Sequence, residues 1–209
     1  RPHQGETAPL PDREGGYSWI KSPRYGGEVR EVGPLAHVLA NYAVGDAATV
    51  KLVDWALATL KAPMEALYSV MGRHLARALA TKLIADQVEG WLLALDPQSP
   101  VYQEYQIPEE GWGMGLTEAA RGALGHWIRI QGGKIANYQC VVPTTWNASP
   151  RDRLGQPGPI EQALIGAPVE DPDNPWEVVR IIRSFDPCIA CAVHLLTPKG
   201  GERARYRIL

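Results

Sequence analysis

Cys188 and Cys191 are separated by two residues, and His194 follows three residues later, within the run Asp186-Pro187-Cys188-Ile189-Ala190-Cys191-Ala192-Val193-His194. Two thiolates at this spacing can converge on one metal ion. Soft sulfur favours zinc, copper(I), the iron of a cluster or nickel over magnesium or calcium. One pair supplies only two ligands, so a mononuclear site needs more from elsewhere. Taken alone, such a pair is more often half a zinc site or a redox couple. A zinc site calls for a second compact pair of Cys or His, which the sequence lacks. A thioredoxin-like couple would follow a strand in a βαβ unit, and no such pattern is present. The remaining cysteine, Cys140, stands apart, and an odd count of three argues against a disulfide framework.

The elements that must position this run are mostly helical. Val32, Leu35, Val38, Leu39 and Tyr42 follow helical spacing, with Pro34 in the first turn and Gly45 as the stop. Ala48 to Leu60 predicts a second helix with Val50, Val53, Leu57 and Leu60 on one face. A long stretch from Pro63 to Leu95 carries the stripe Leu67, Val70, Met71, Leu75, Leu79, Leu83, Val88 and Leu92, with Gly72 and Gly90 as kinks or ends. Gly111, Gly113 and Gly115 predict a loop before Thr117. Ala123–Ile130 and Lys134–Val142 flank Gln131-Gly132-Gly133 and predict a β-hairpin ended by Pro143. Short helices are expected at Pro159–Ile165 and Pro175–Phe185, the second with Asn174 as N-cap and Pro175 at its first position. The fold class is therefore mainly α with a small antiparallel β element.

Composition narrows the function classes. A 209-residue chain with 45% hydrophobic and 21% charged residues has a globular balance. A net charge of -2 gives no basic field for nucleic acid or an anionic membrane. The apolar runs, such as Trp91 to Leu95, are too short to span a bilayer. The chain opens on Arg1 and a polar, Pro- and Gly-rich stretch to Gly16, which reads as the middle of a longer protein.

Four motifs in series extend the chemistry beyond the cysteine pair. They are Tyr17-Ser18-Trp19-Ile20-Lys21-Ser22-Pro23-Arg24-Tyr25 with Glu31-Val32-Gly33-Pro34-Leu35; Thr117-Glu118-Ala119-Ala120-Arg121-Gly122-Ala123-Leu124-Gly125-His126-Trp127; Asn137-Tyr138-Gln139-Cys140-Val141-Val142-Pro143-Thr144-Thr145-Trp146-Asn147; and the run from Asp186 to His194. Together they resemble the large, nickel-binding subunit of NiFe hydrogenases, over nearly the whole chain and near that subunit's C-terminus.

The resemblance implies a nickel and an iron bridged by thiolates, the iron also carrying cyanide and carbon monoxide. Cys188 would be a terminal nickel ligand and Cys191 a bridging one. Two further cysteines would come from an N-terminal Cys-x-x-Cys that is not in this chain. Arg121 would lie over the metals and donate to a cyanide, and Asp186 would pair near it. Thr144 would hydrogen-bond the other cyanide. Between Cys188 and Arg121 as the base in splitting H2, the thiolate is favoured, because a guanidinium is a poor base. Without the motif, Arg121 reads as a surface partner of Glu118, three residues back. Ala120 stands where the family commonly has proline, which would fix the backbone presenting the arginine. His194 would bind a magnesium (or iron(II)) ion, with the main-chain carbonyl of Cys140 as a second ligand; the Cys140 thiol itself is expected as a small buried apolar group.

The same resemblance divides the chain into residues 1–194, the C-terminal part of the catalytic domain, and residues 195–209, a tail removed on maturation. The plain alternative for the tail is a permanent C-terminal strand around Arg205 to Leu209. Implied partners are an Fe–S small subunit that takes the electrons of H2, a maturation endopeptidase and nickel-insertion factors. Motif wording leans toward the membrane-associated uptake class, exported with the small subunit to the periplasmic side and cytoplasmic while unprocessed. Two other readings stay open: a metal-free hydrogenase-related subunit of a respiratory complex, and a non-enzymatic zinc-binding helical domain.

Overall fold

The computed structural model describes residues 12–18, 20–188, 192–196 and 202–207. Trp19, Cys191 and the rest of the chain lie outside the described residues. The architecture is mainly helical with a three-stranded antiparallel sheet, as the periodicity implies.

Helices α1 (Pro34–Ala43) and α2 (Ala47–Leu60) begin where their sequences say. Pro34 occupies the first turn of α1, where a missing N–H costs nothing. Asp46 caps α2 by accepting from the Thr49 N–H at 2.9 Å and from its hydroxyl at 2.6 Å. The long helical stretch divides in two. Met64–Leu67 is a single 3-10 turn, and α3 (Val70–Leu93) starts afresh with Ser69 as N-cap, its hydroxyl oxygen accepting from the Gly72 N–H. Gly72 is what permits the break: a Cβ there would stand 2.1 Å from the Leu67 carbonyl oxygen. Gly90, by contrast, marks neither kink nor end, and the helix runs through it.

Leu35, Val38, Val53, Ala56, Leu67, Ala76 and Leu79 form the apolar core where α1, α2 and α3 meet. Of the stripe expected on α3, Leu79 is buried and Leu75 packs partly buried against the core. Met71, Val88 and Leu92 are exposed, as are Ile84, Trp91 and Leu93.

The glycine-rich segment before Thr117 is a strand, not a loop. Strand β1 (Glu110–Ala119) pairs antiparallel along its whole length with β2 (Gly122–Gln131), and β2 pairs with β3 (Lys134–Val141). Gly111, Gly113 and Gly115 alternate with Trp112, Met114 and Leu116, a period of two that the ladder accepts. A Cβ at Gly113 would make only ordinary contact with Ile128 of β2, 3.5 Å from its Cγ2, so the pairing does not itself require glycine there. The β2–β3 turn falls at Gly132-Gly133, both at positive φ (59° and 67°), as a tight hairpin requires.

Pro143 ends β3 as expected, but it also opens an unforeseen short helix, α4 (Pro143–Asn147). Helices α5 (Pro159–Leu164) and α6 (Trp176–Ser184) follow. Pro175 is the N-cap of α6 rather than its first helical residue, and no side chain caps it, so Asn174 lies one position outside the expected role. Helix α6 packs on α3 and on α5. At the C-terminus, β4 (Ala192–Leu196) pairs antiparallel with β5 (Glu202–Arg207). No helix among the described residues is long and apolar enough to cross a membrane.

Candidate metal centre

Three segments distant in sequence meet at one seam. The first is the two-residue turn Ala120-Arg121 that joins β1 to β2, with Ala119 facing Gly122 across the hairpin. The second is α4. The third is the chain leaving α6 at Ser184-Phe185-Asp186-Pro187-Cys188. What fixes them is mostly polar contact and close backbone approach.

The hairpin tip is pinned from below. Gly122 adopts φ 126°, and a Cβ there would lie 2.5 Å from the Gly33 nitrogen. Gly33, at φ 127°, faces the Arg121 carbonyl in the same way, at 3.1 Å. Two glycines thus seat the Arg121 backbone on the start of α1. Asn147, 3% exposed, holds that start in turn. Its Oδ1 accepts from the Val32 N–H at 3.0 Å and its Nδ2 donates to the Val32 carbonyl at 2.7 Å. Both orphan backbone groups beside the helix start are satisfied by one side chain.

Arg121 reaches to Asp186 and not to Glu118. Its Nε donates to the Asp186 carbonyl at 3.0 Å, and its Nη2 lies 3.4 Å from Asp186 Oδ1. Both side chains are about one-third exposed, 35% and 37%. Glu118 sits on the facing strand, its carboxyl pushed up by partial desolvation against the opposing charge of His37. Asp186 has φ 50°, the left-handed region, which costs a non-glycine residue about 1–3 kcal/mol when held in place. Thr144 of α4 takes the next step along the chain: its hydroxyl oxygen accepts from the Cys188 N–H at 3.0 Å. Cys188 is exposed. Ala120 is exposed at the hairpin tip.

Of the site residues read from the sequence, Arg121, Asp186, Thr144 and Cys188 come together, with Ala120 beside Arg121. Cys191 lies outside the described residues. His194 lies on β4 opposite Arg205. Cys140 is on β3, opposite His126. Its thiol is half-buried rather than sealed in an apolar pocket, and lies 3.9 Å from His126 Nε2 because the two are cross-strand partners. Among the described residues no three His, Cys, Asp or Glu side chains gather into one cluster.

Sequence reading missed the supports on α3. Arg73 grips Glu31 with two parallel bonds, 2.7 and 2.8 Å, and its guanidinium lies over the ring of Phe185 at 3.9 Å. Arg77 Nη2 donates to the Ser184 carbonyl at 2.9 Å. The available signal was two arginines one turn apart beside a buried apolar stripe. Asn147 and Glu31 closed and opened quoted motifs without being given a role.

The profile of the nickel-dependent hydrogenase family matches residues 1–194. The chain belongs to the nickel-dependent hydrogenase family. The uptake hydrogenase large subunit of Rhizobium leguminosarum bv. viciae is 45% identical over 202 residues, covering 92% of this chain and 34% of that protein. The periplasmic NiFeSe hydrogenase large subunit of Desulfomicrobium baculatum is also 45% identical over 202 residues, covering 95% of this chain and 39% of its own. A solved structure of H2-activated NiFeSe hydrogenase from that organism superposes with a TM-score of 0.77 at 43% identity, over 90% of this chain and 39% of that one. The chain thus spans a little over a third of the length of these relatives. The donor chemistry of the seam suits the family's metal: soft thiolate sulfur for nickel, and a guanidinium whose fork suits small anionic acceptors.

Proposed function

We propose that this chain is the C-terminal part of a NiFe hydrogenase large subunit, of the uptake type, which oxidises H2 reversibly to two protons and two electrons. The observation that carries the reading is the seam itself. Arg121 and Asp186, 65 residues apart, are bonded to each other two residues before Cys188, and Thr144 holds the backbone of Cys188.

Cys188 and Cys191 would supply two of the thiolates that hold a nickel–iron pair, and two more would come from the N-terminal part of the full subunit. Bound there, the metal pair supplies polarisation of H2 and a store for its electrons. The thiolate sulfur of Cys188 accepts the proton. Arg121 stays protonated; it offers N–H donors to a cyanide nitrogen and keeps its orientation through Asp186. Thr144 holds the Cys188 backbone with its hydroxyl oxygen and retains its own proton for the second cyanide. The iron would also carry carbon monoxide. His194 and the Cys140 main-chain carbonyl serve a magnesium or iron(II) ion.

Electrons leave to an Fe–S small subunit, a reading supported by the relatives' being named large subunits. Residues 195–209 form a tail that a maturation endopeptidase removes after nickel-insertion factors have loaded the site. The scissile bond after His194 falls within β4, so cleavage also takes away β5, the strand that pairs with it. The mature enzyme acts on the periplasmic side, bound to the membrane through its partners.

The test is to purify the full-length subunit with its Fe–S partner from the native host. Nickel, with iron in excess of it because the partner's clusters also carry iron, infrared bands of cyanide and carbon monoxide, and H2-dependent dye reduction are expected. Zinc in place of nickel, or a stable complex whose metal is the partner's cluster iron alone, would replace this reading with the zinc-domain or the metal-free respiratory one.

A further inference from the structure

The carboxylate of Asp186 lies between two guanidiniums. Arg121 Nη2 approaches Oδ1 at 3.4 Å, and Arg77 Nε approaches Oδ2 at 3.8 Å. Neither contact is fully closed. Arg77 cannot simply move, because its Nη2 is bonded to the Ser184 carbonyl at 2.9 Å. Its Nε is buried, and among the described residues it has no hydrogen-bond partner. A buried N–H without an acceptor is costly, and Asp186 Oδ2 is the acceptor it faces. One carboxylate oxygen of Asp186 thus faces each guanidinium.

Resting on the hydrogenase reading above, we propose that Arg77 is a positioning residue of the metal centre, setting through Asp186 the orientation of the Arg121 guanidinium. Three features make α3 a suitable anchor. Arg77 lies on a 24-residue helix that contributes Ala76 and Leu79 to the core. Arg73, one turn earlier, is fixed by its double bond to Glu31 and its stack on Phe185, the residue next to Asp186. The Asp186 backbone sits in the left-handed region, so the carboxylate and the main-chain carbonyl that Arg121 uses are set together by one strained residue. Arg77 therefore clamps both ends of the turn, the Ser184 carbonyl before it and the Asp186 side chain within it. It acts on the reacting atoms only through these contacts.

The experiment is a double-mutant cycle in the full-length, partner-bound enzyme, with Arg77→Gln, Asp186→Asn and the double variant. Arg77→Gln is expected to lower H2 oxidation on the order of ten- to a hundredfold, the scale on which misplacement by an ångström acts. Nickel and iron content should stay at the wild-type level. The cyanide infrared bands should shift in the same direction as in Asp186→Asn. Because Arg77 works through Asp186, the double variant should be no worse than Asp186→Asn alone. Arg77→Lys, which keeps the charge but loses the fork, should recover part of the activity. Lys82→Gln, in an exposed pair further along α3, serves as the control for lost charge and should match wild type. Multiplying effects in the double variant, or unshifted cyanide bands in Arg77→Gln, would overturn the proposal while leaving the hydrogenase reading intact. A wild-type enzyme without nickel would overturn both.

Discussion

The helical core and the seam around Arg121 are held by different forces. Where α1, α2 and α3 meet, the contacts are apolar and nearly dry: Val38 is fully buried and Leu67 and Val53 are 1% exposed. At the seam, almost every contact is a hydrogen bond, an ion pair or a glycine-to-backbone approach, and the key side chains stay partly open. Burial gives the first region its stability, in proportion to area removed from water. The second region gains direction instead, because polar contacts fix where Arg121, Asp186 and Cys188 point. Stability and geometry are thereby assigned to separate parts of one short chain, with α3 shared between them.

Substitutions can break this division or sharpen it. The largest loss is expected at Gly122→Ala, where the new methyl would meet the Gly33 nitrogen at 2.5 Å with the backbone at φ 126°. Denaturant unfolding of the full protein should show a loss of at least ~4 kcal/mol, and wild-type stability there would contradict the close backbone seat. Leu67→Ala in the core should cost about 2–5 kcal/mol by the same measurement and leave the cyanide infrared bands in place. Shifted bands would show that the two regions are not separate. Asn147→Ala should cost less stability, ~2 kcal/mol for the Val32 groups left unpaired, yet disturb H2 oxidation more than Leu67→Ala does.

The smallest effect lies at the start of α2. Hydrogen bonds from the Thr49 hydroxyl, and then from its N–H, hold the Asp46 carboxyl below its usual pKa. A pKa depressed in the folded state adds stability above the unfolded value of about 3.9, and that stability fades as pH falls through the folded value. Thermal melts of wild type and Asp46→Ala should therefore differ at neutral pH and converge in acid. A gap that stays constant with pH would mean the cap does not depend on charge.

Helices were legible where apolar spacing met a start signal, as at Pro34, and the second was read from its spacing alone, without its cap Asp46. Helix α3 was legible by spacing at Leu75 and Leu79. Its second half shows the limit of periodicity: Val88 and Leu92 follow the stripe, yet no described element covers them. Gly111, Gly113 and Gly115 misled because glycine is a loop signal taken singly, whereas alternation with large apolar residues made a strand. The β1–β2 hairpin was missed for that reason, although its tip carries Arg121. Within the site, residue types pointed to the thiolate, guanidinium and carboxylate by resemblance. The supports did not stand out, because Asn147, Arg73 and Arg77 act through contacts 42 to 115 residues away in sequence, which no local pattern encodes.

The central claim is that the sulfur of Cys188 binds nickel. Nickel-edge X-ray absorption of the full-length, partner-bound protein tests it by comparing wild type with Cys188→Ser. The account predicts a sulfur-rich nickel environment in wild type, and in Cys188→Ser either no nickel or nickel with one sulfur fewer. A Cys188→Ser protein with full nickel content and an unchanged spectrum would contradict it.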